Sequence, residues 1–249
     1  MRFFLDISYD GTDYSGWQRQ PKDKSVQETI EKALSTIYQR PVDIVGAGRT
    51  DAGVHARQMI AHVDLPDDTD VKLLTGKLNM LLPGDIAVNN MVHVRDDAHA
   101  RFDAILRRYR YYVSVSKNPF EKKYCMRMFS MPDVELMNKA AGVLLNVSDF
   151  TSFAKLHTDT KTNICHVSVA QWNVLPDGRL EFVIEADRFL RNMVRAIVGT
   201  LLQLGRGKID MERFVQIIEC KDRCSAGDSV PAAGLFLDRV EYPDSVYEV

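Results

Sequence analysis

Residues 45–54 read VGAGRTDAGV and place three glycines, an arginine and an aspartate within ten positions. A glycine-rich turn of this kind either holds the phosphate of a nucleotide cofactor or supports a side chain with chemistry of its own. A dinucleotide-binding turn needs glycine at three fixed positions and leads from a strand into a helix. Here Asp51 takes the place of the third glycine, and its carboxylate would repel a pyrophosphate.

The segments that flank this turn also argue against a nucleotide-binding fold. Residues 42–46 are extended in pattern, and apolar side chains alternate after the turn at Met59, Ala61, Val63 and Leu65. The turn therefore joins two strands and offers no helix N-terminus to a phosphate. No Gly-Lys-Ser/Thr sequence follows, which excludes a Walker loop. We predict no nucleotide cofactor, and the turn is either a plain tight turn or a support for Asp51.

Outward from the turn, the periodicity predicts a mixed α+β chain. Ser25 and Glu28 form a capping box, so a helix begins there and stops before Pro41. Alternating or extended patterns predict strands over 2–9, 42–46, 59–65, 86–94, 109–115, 164–174, 180–186 and about 235–240. Helical spacing predicts further helices over 71–82, 134–147, 188–204 and 210–220. Each half holds strands and helices, and we predict two α+β domains, residues 1–105 and residues 106–249.

The composition excludes several classes of protein. The chain has 249 residues, a net charge of -2, 45% hydrophobic residues and 27% charged residues, which is typical of a globular protein. No apolar run approaches membrane-spanning length, so we expect no membrane partner. The N-terminus reaches Asp6 too early for a signal peptide, and we expect a cytoplasmic protein. Four cysteines without a C-x-x-C pair, and histidines without ligand spacing, predict neither a disulfide nor a metal site.

Basic residues are concentrated in two segments. Residues 101–110, RFDAILRRYR, carry four arginines and one aspartate, and residues 188–208 carry five basic groups and no acid. A local basic surface can attract phosphates even on a nearly neutral chain. Salt confines the field of each charge to roughly 8–10 Å at physiological ionic strength, so acidic residues farther away do not cancel it. Arg188, Arg191 and Arg195 follow at i, i+3 and i+7, which predicts one arginine face on the helix over 188–204. A solvated charged face is the alternative interpretation.

GAGRTDAGVHA, residues 46–56, resembles the catalytic signature of the TruA family of tRNA pseudouridine synthases. Further stretches resemble that family in the same order along the chain: YDGTDYSGWQRQP (9–21), KLNMLLPGDI (77–86), DAHARFDAILRRYRYYV (97–113), DFTSF (149–153), FLRNMVRAIVGTLLQLG (189–205) and PAAGLFLDRVEY (231–242). The resemblance implies a pseudouridine synthase fold, with two ferredoxin-like (RRM-like) subdomains that share a mixed, mostly antiparallel sheet and a central catalytic cleft. It also implies a homodimeric isomerase without cofactor or metal. Its substrate would be the tRNA anticodon stem-loop, with uridines 38, 39 and 40 as targets.

Carried over position by position, the resemblance implies roles for four residues. Asp51 matches the catalytic aspartate, and Tyr109 matches the tyrosine that packs against the target base. Arg49 matches an arginine that contacts the nucleic acid near the flipped nucleotide, and Arg195 matches the arginine that pairs with the catalytic carboxylate. An arginine beside a buried aspartate lowers the pKa of the carboxyl by roughly 1–3 units, which keeps it charged. Four further arginines are candidate RNA contacts: Arg107, Arg108, Arg188 and Arg191.

Two other functions and one structural alternative remain open at this point. A non-catalytic RRM-like RNA-binding protein would use aromatic strands beside arginines, but it leaves Asp51 without a role, and no RNP1-type string occurs. A hydrolase would need a second acid paired with Asp51, and no spaced carboxylate pair is found. For Tyr109, the alternative is a core tyrosine that shares its strand face with Tyr111 and Val113.

Overall fold

The computed structural model describes residues 1–155 and 161–248, and it confirms the predicted α+β class. The strands are β1 (Arg2–Tyr9), β2 (Val45–Gly46), β3 (His55–Asp64), β4 (Ile86–Val94), β5 (Leu106–Ser114), β6 (Met126–Arg127), β7 (Val167–Val174), β8 (Leu180–Ala186) and β9 (Leu235–Glu241). The helices are α1 (Val26–Tyr38), α2 (Val71–Leu81), α3 (Val134–Val143), α4 (Met193–Gly205) and α5 (Met211–Glu219). Short 3₁₀ helices cover Leu144–Asn146, Thr151–Phe153, Arg223–Ser225, Ala232–Gly234 and Asp244–Val246.

The chain divides into two compact units. The first comprises Met1–Leu106 and Leu237–Val249, and the second comprises Arg107–Phe236. Residues 237–249, which the predicted boundary assigns to the second domain, thus return to the first unit. Several hydrogen bonds tie them there, among them the Val240 N–H, which donates to Gln58 Oε1 at 3.0 Å, and the Tyr242 hydroxyl, which donates to the Ala100 carbonyl at 2.5 Å.

The sheet strands of the first unit lie in the order β4-β1-β3-β9. β1 pairs antiparallel with both β3 and β4, so it is flanked on each side. Its apolar residues Phe3, Leu5 and Ile7 are buried, as the alternating pattern predicts. The Ser25 hydroxyl accepts the Glu28 N–H at 3.3 Å, which confirms the predicted N-cap of α1. This unit carries the glycine-rich turn.

The second unit contains the strand order β5-β8-β7, with both pairings antiparallel. The short β6 pairs parallel with β5. Helix α3 packs against β7 and α4, and α4 buries most of its residues, including Ile197 and Leu201. The predicted turn between β7 and β8 is confirmed, with Gly178 at a φ of 82°.

The prediction of a strand over 42–46 is correct only for its last two residues. Side chains of α1 satisfy the backbone of Ile44: its N–H donates to Glu31 Oε1 at 3.1 Å, and its carbonyl accepts from Gln27 Nε2 at 3.0 Å. The Val42 N–H donates to the Ser35 hydroxyl at 3.0 Å. Residues 42–44 are therefore tied to a helix by side chains instead of pairing in a ladder.

The prediction of a helix over 188–204 is wrong over its first five residues. Helix α4 begins at Met193, and its N-cap Asn192 adopts a left-handed conformation with φ 66°. A residue in this region ends helical geometry, and asparagine tolerates it better than most. Arg188 and Arg191 consequently lie before the helix, and the predicted arginine face over Arg188, Arg191 and Arg195 does not exist. Only Arg195 belongs to α4.

All four cysteines lie within the described residues and are free thiols. Cys125 and Cys165 are buried thiols, and burial raises the pKa of each to about 12. Cys220 and Cys224 are exposed, and none of the four is in a disulfide.

Within 1–155 and 161–248, no helix combines the length and apolar character needed to cross a membrane.

Candidate functional site

The glycine-rich turn is the loop of a β-hairpin in the first unit, which confirms that it joins two strands. Val45 and Gly46 of β2 pair antiparallel with His62 and Ala61 of β3. The Ala47 N–H then donates to the Ile60 carbonyl at 2.7 Å and closes the base of the loop. Residues 48–53 lie beyond these bonds and form the part of the hairpin that can present side chains.

A second loop, residues 10–17, supports the hairpin by close backbone approach. A Cβ on Gly16, whose φ is +94°, would lie 2.3 Å from the Thr50 carbonyl oxygen, so only glycine fits without strain. The neighbouring Trp17 N–H donates to that same carbonyl at 3.3 Å. On the other side of the loop, a Cβ on Gly11 would lie 2.0 Å from the Val54 carbonyl oxygen. The first loop therefore holds the hairpin loop from both ends.

Thr50 is the inner anchor of the hairpin loop. Its side chain is buried, and its hydroxyl is 2.8 Å from the hydroxyl of Tyr9 at the end of β1. The residues on either side of it turn outward: Arg49 is exposed and Asp51 is half-buried. Fixing Thr50 therefore limits the positions that the Asp51 carboxylate can take. Gly48 differs from Gly11 and Gly16, because a Cβ there would meet no atom within 4 Å among the described residues.

His55 closes the hairpin and is almost fully buried. Its Nδ1 lies 3.1 Å from the Gly11 nitrogen and 3.1 Å from Asp10 Oδ1. A single nitrogen serves one of these at a time: it accepts from the Gly11 N–H when unprotonated and donates to Asp10 when protonated. The Asp10 carboxylate also accepts from the Thr12 N–H at 2.9 Å. The sequence shows His55 as an extension of the dense cluster of polar side chains at the turn, but it does not predict this anchoring role.

In the second unit, Tyr109 lies on β5 and is half-buried, whereas Tyr111 and Val113 are fully buried. Tyr109 is therefore not packed like the other two members of its strand face. Its ring meets the ring of Phe189 edge to face, with centroids 5.0 Å apart and an interplanar angle of 85°. The predicted helix over 188–204 would bury Phe189 together with Met193, Ile197 and Leu201, whereas the structure places Phe189 beside Tyr109.

Arg195 is oriented by the backbone of a loop that precedes β9. Its Nε donates to the Val230 carbonyl at 2.7 Å, and the Val230 N–H donates back to the Arg195 carbonyl at 3.2 Å. The Tyr111 hydroxyl donates to the next carbonyl, that of Pro231, at 2.9 Å. Burial raises the pKa of Tyr111, and the positive charge of Arg195 opposes that rise. A glycine inside a helix can mark a close approach by another segment, and Gly199 of α4 was the residue that could have indicated this loop. A Cβ on Gly199 would lie 1.9 Å from the Asp228 carbonyl oxygen.

Three arginines of β5 interact with the chain around β8. Arg107 Nη1 donates to the Asp187 carbonyl at 2.7 Å. Arg108 forms an ion pair with Glu185, its partner in the antiparallel register. Arg110 Nη1 lies 2.7 Å from Glu181 Oε1. Much of the positive charge that the sequence places here is therefore balanced within the sheet.

The Arg110 pair also affects the titration of its partner. Burial alone would raise the pKa of Glu181. Hydrogen bonds from Arg110 and from the Tyr112 hydroxyl outweigh burial and hold that pKa below its usual value. Glu181 is therefore an anionic structural partner of β5.

Arg188 and Arg191 lie in the irregular segment 187–192. The Arg188 N–H donates to Asp187 Oδ1 at 2.7 Å, and its side chain is half-buried. The Arg191 side chain is exposed, while its carbonyl accepts from the Lys155 N–H at 3.0 Å. Of the two, Arg191 is the more accessible to a phosphate.

The candidate residues thus fall into two local groups. Arg49 and Asp51 share the hairpin loop of the first unit, and Tyr109, Phe189 and Arg195 belong to the second. Over the described part of the chain, no three His, Cys, Asp or Glu side chains are grouped so that they could hold a metal ion.

Comparisons with known proteins find matches that cover almost the full length of this chain. A family model described as tRNA pseudouridine synthase matches residues 7–103 and 140–243. A Bacteroides thetaiotaomicron protein named tRNA pseudouridine synthase A is 55% identical over 248 residues, 99% of this chain and 92% of the relative. Proteins of the same name from Porphyromonas gingivalis and Bacillus pumilus are 54% and 37% identical. Those alignments cover 99% and 97% of this chain, and 99% of each relative.

Proposed function

The chain belongs to the tRNA pseudouridine synthase family, and from that membership we propose that Asp51 is the catalytic residue and that the enzyme modifies uridines 38, 39 and 40 of the tRNA anticodon arm. The protein is an isomerase that acts on tRNA and forms pseudouridine. One observation carries the assignment of Asp51: it is half-buried, and the residue before it is anchored by Tyr9 and Trp17. This is how a reacting group is held in a fixed position.

The reaction needs little besides a well-placed carboxylate. The N1–C1′ bond of uridine breaks, the base turns, and C5 bonds to C1′. C5 loses a proton and N1 gains one, so atoms balance and nothing is oxidised or reduced. Asp51 acts as a nucleophile at C6 or at C1′, or it promotes loss of the base. All three routes start from the ionised carboxylate, and none requires a cofactor.

Arg195 serves as the cationic partner of that carboxylate. Support for Arg195 in this role comes from its match to the family motif and from its fixed side chain, whose Nε donates to Val230. A guanidinium held by its own unit loses less conformational freedom when it pairs with an anion.

Tyr109 stacks on the uracil after the nucleotide is extruded from the arm. Stacking of a base on an aromatic ring is worth about 1–3 kcal/mol, and it does not depend on base identity. The half-buried position of Tyr109 supports this role, because a ring that stacks on a ligand must keep part of its surface accessible.

The remaining proposed contacts are electrostatic. Arg49 binds the backbone near the extruded nucleotide, and Arg191 and Arg188 contact phosphates of the anticodon stem-loop together with Arg107 and Arg108. The enzyme is a cytoplasmic homodimer in which one tRNA touches both subunits, so that the basic surfaces of two chains of net charge -2 combine. Mass measurement of the tRNA complex tests this arrangement, and one chain per bound tRNA would contradict it.

Release of tritium from tRNA carrying 5-tritiated uridine tests the catalytic assignment, because an enzyme that rejoins the base through C5 releases that hydrogen and a protein that only binds tRNA does not. Asp51→Asn should abolish release while leaving tRNA affinity nearly unchanged. Asp43→Asn is the matched control, since it removes a charge from an exposed side chain just ahead of the same hairpin. Turnover by Asp51→Asn at the rate of the control would refute the role of Asp51. Tight tRNA binding by the parent protein without any release would instead favour the non-catalytic alternative.

A further inference from the structure

Phe189 contacts the side chain that the proposed function places against the base. The two rings are 5.0 Å apart between centroids and stand at 85°, the edge-to-face geometry that aromatic pairs favour. Both residues are half-buried, so the pair lies at the surface of its unit and not in the core. A ring held this way cannot rotate freely, since turning it would break the edge-to-face contact or collide with its partner.

The segment that carries Phe189 is fixed at its start. At Asp187 the chain leaves β8, and the carbonyl of that residue accepts from Arg107 Nη1 at 2.7 Å. The Asp187 carboxylate accepts from the His166 N–H at 2.9 Å. Arg107 of β5 and His166, just before β7, therefore hold the beginning of the segment.

The end of the segment is fixed as well. Asn192 turns the chain through a left-handed conformation into α4, and its Nδ2 donates to the Ser229 hydroxyl at 2.6 Å. That hydroxyl also accepts from Arg223 Nη2 at 2.9 Å. With both ends of the segment tied, Phe189 is held against Tyr109 of β5.

We propose that Phe189 is a positioning residue for the isomerisation: its edge-to-face contact holds the Tyr109 ring in one orientation and so fixes the plane on which the extruded uracil stacks. This inference rests on the proposed function of Tyr109. It assigns Phe189 an effect on the chemical step, because a misplaced base lies outside the reach of the carboxylate, whereas affinity for the whole tRNA depends mainly on backbone contacts.

The same strand offers a matched control. Tyr112, also on β5, forms an edge-to-face pair with Phe236, with centroids 5.6 Å apart and an angle of 78°. Phe236 is half-buried, as Phe189 is. Removing the Phe236 ring therefore deletes an aromatic pair of similar geometry on the same strand, together with its contact to Tyr124, at a tyrosine that has no proposed contact with the base.

The experiment compares Phe189→Leu, Phe189→Tyr and Phe236→Leu in the full-length enzyme. The single-turnover rate of tritium release at saturating enzyme and the Kd for tRNA are both measured, with thermal unfolding of each variant. We expect Phe189→Leu to slow release about tenfold with a Kd within about twofold of the parent. Phe189→Tyr keeps a ring and should retain the rate within about twofold, and Phe236→Leu should leave the rate and the Kd unchanged. If Phe189→Leu does not fold, Phe189→Met replaces it.

Equal rates for Phe189→Leu and Phe236→Leu would overturn the proposal, as would a loss confined to Kd. The double variant Tyr109→Ala/Phe189→Leu tests the route of the effect: if Phe189 acts through Tyr109, the double variant is no slower than Tyr109→Ala alone. Fully multiplied losses would contradict that route. Failure of the proposed function would give a different result. In that case the Asp51→Asn or Tyr109→Ala variant would release tritium at the rate of the parent enzyme.

Discussion

The hydroxyl groups of Tyr9 and Thr50 lie 2.8 Å apart, and this bond joins the end of β1 to the residue immediately before Asp51. Both side chains are buried, with exposed fractions of 4% and 8%. The bond connects the central strand of the first unit to the loop that carries the proposed catalytic carboxylate. The position of Asp51 therefore depends on the sheet as well as on the local turn.

Tyr9→Phe tests this connection. The substitution leaves the Thr50 hydroxyl without its partner, and we expect the free energy of unfolding to fall by about 1 kcal/mol. Release of tritium should slow severalfold while the Kd for tRNA stays the same. Tyr38→Phe is the control, because it deletes a similar tyrosine–threonine bond, to Thr69 at 3.2 Å, away from the hairpin. An equal loss of rate in both variants would mean that the Tyr9 bond has no special effect on the loop.

Gly16→Ala tests the close approach between the two loops. Alanine at a φ of +94° carries the backbone cost of about 1–2 kcal/mol, and its Cβ would also lie 2.3 Å from the Thr50 carbonyl oxygen. Gly178→Ala has the same kind of backbone cost at +82°, but its Cβ meets no atom within 4 Å among the described residues. We expect Gly16→Ala to lower the free energy of unfolding by about 1–3 kcal/mol more than Gly178→Ala. Equal values in urea unfolding would contradict the close packing of the loops.

His62 makes the stability of the first unit depend on pH. Burial, assisted by the charge of Arg2, lowers the pKa of His62 from 6.5 to about 4. Its Nδ1 accepts the Ala100 N–H at 3.1 Å, and protonation removes that acceptor. The folded state thus resists a proton that the unfolded chain takes up below about pH 6.5.

Stability should therefore be complete above pH 6.5 and should fall as the pH drops from 6.5 towards 4. The loss attributable to His62 is at most about 3 kcal/mol. Burial also lowers the pKa of the neighbouring His99, which adds in the same direction. Urea unfolding at several pH values checks this, with His62→Gln as the variant that should lose most of the pH dependence. A parent-like slope in His62→Gln would assign the effect to other groups.

Local sequence patterns predicted much of the framework. The strands over 2–9, 86–94 and 180–186 have the predicted bounds, and the helix capped by Ser25 begins where its capping residues indicate. The strand–turn–strand setting of Asp51 was also predictable, because alternation after the turn is visible in the sequence alone. These features depend on contacts between near neighbours in the chain, which periodicity and capping residues record directly.

Other features were decided by contacts between residues far apart in sequence. Apolar spacing continued smoothly from Phe189 into α4, yet Asn192 turns the chain, and Phe189 packs on Tyr109 instead of on the helix core. Apolar periodicity predicts which side chains are buried, but it does not predict which part of the fold packs against them.

The sequence by itself determined the α+β class, the hairpin that carries Asp51 and, through its motifs, the family. Only the tertiary structure decided what holds the candidate site in place: Thr50, next to Asp51, by the hydroxyl of Tyr9, and Arg195 by the carbonyl of Val230. Those partners are 41 and 35 residues away along the chain. A buried polar group must find a partner wherever the fold brings one, and no local pattern encodes a bond that forms only after distant segments have packed together.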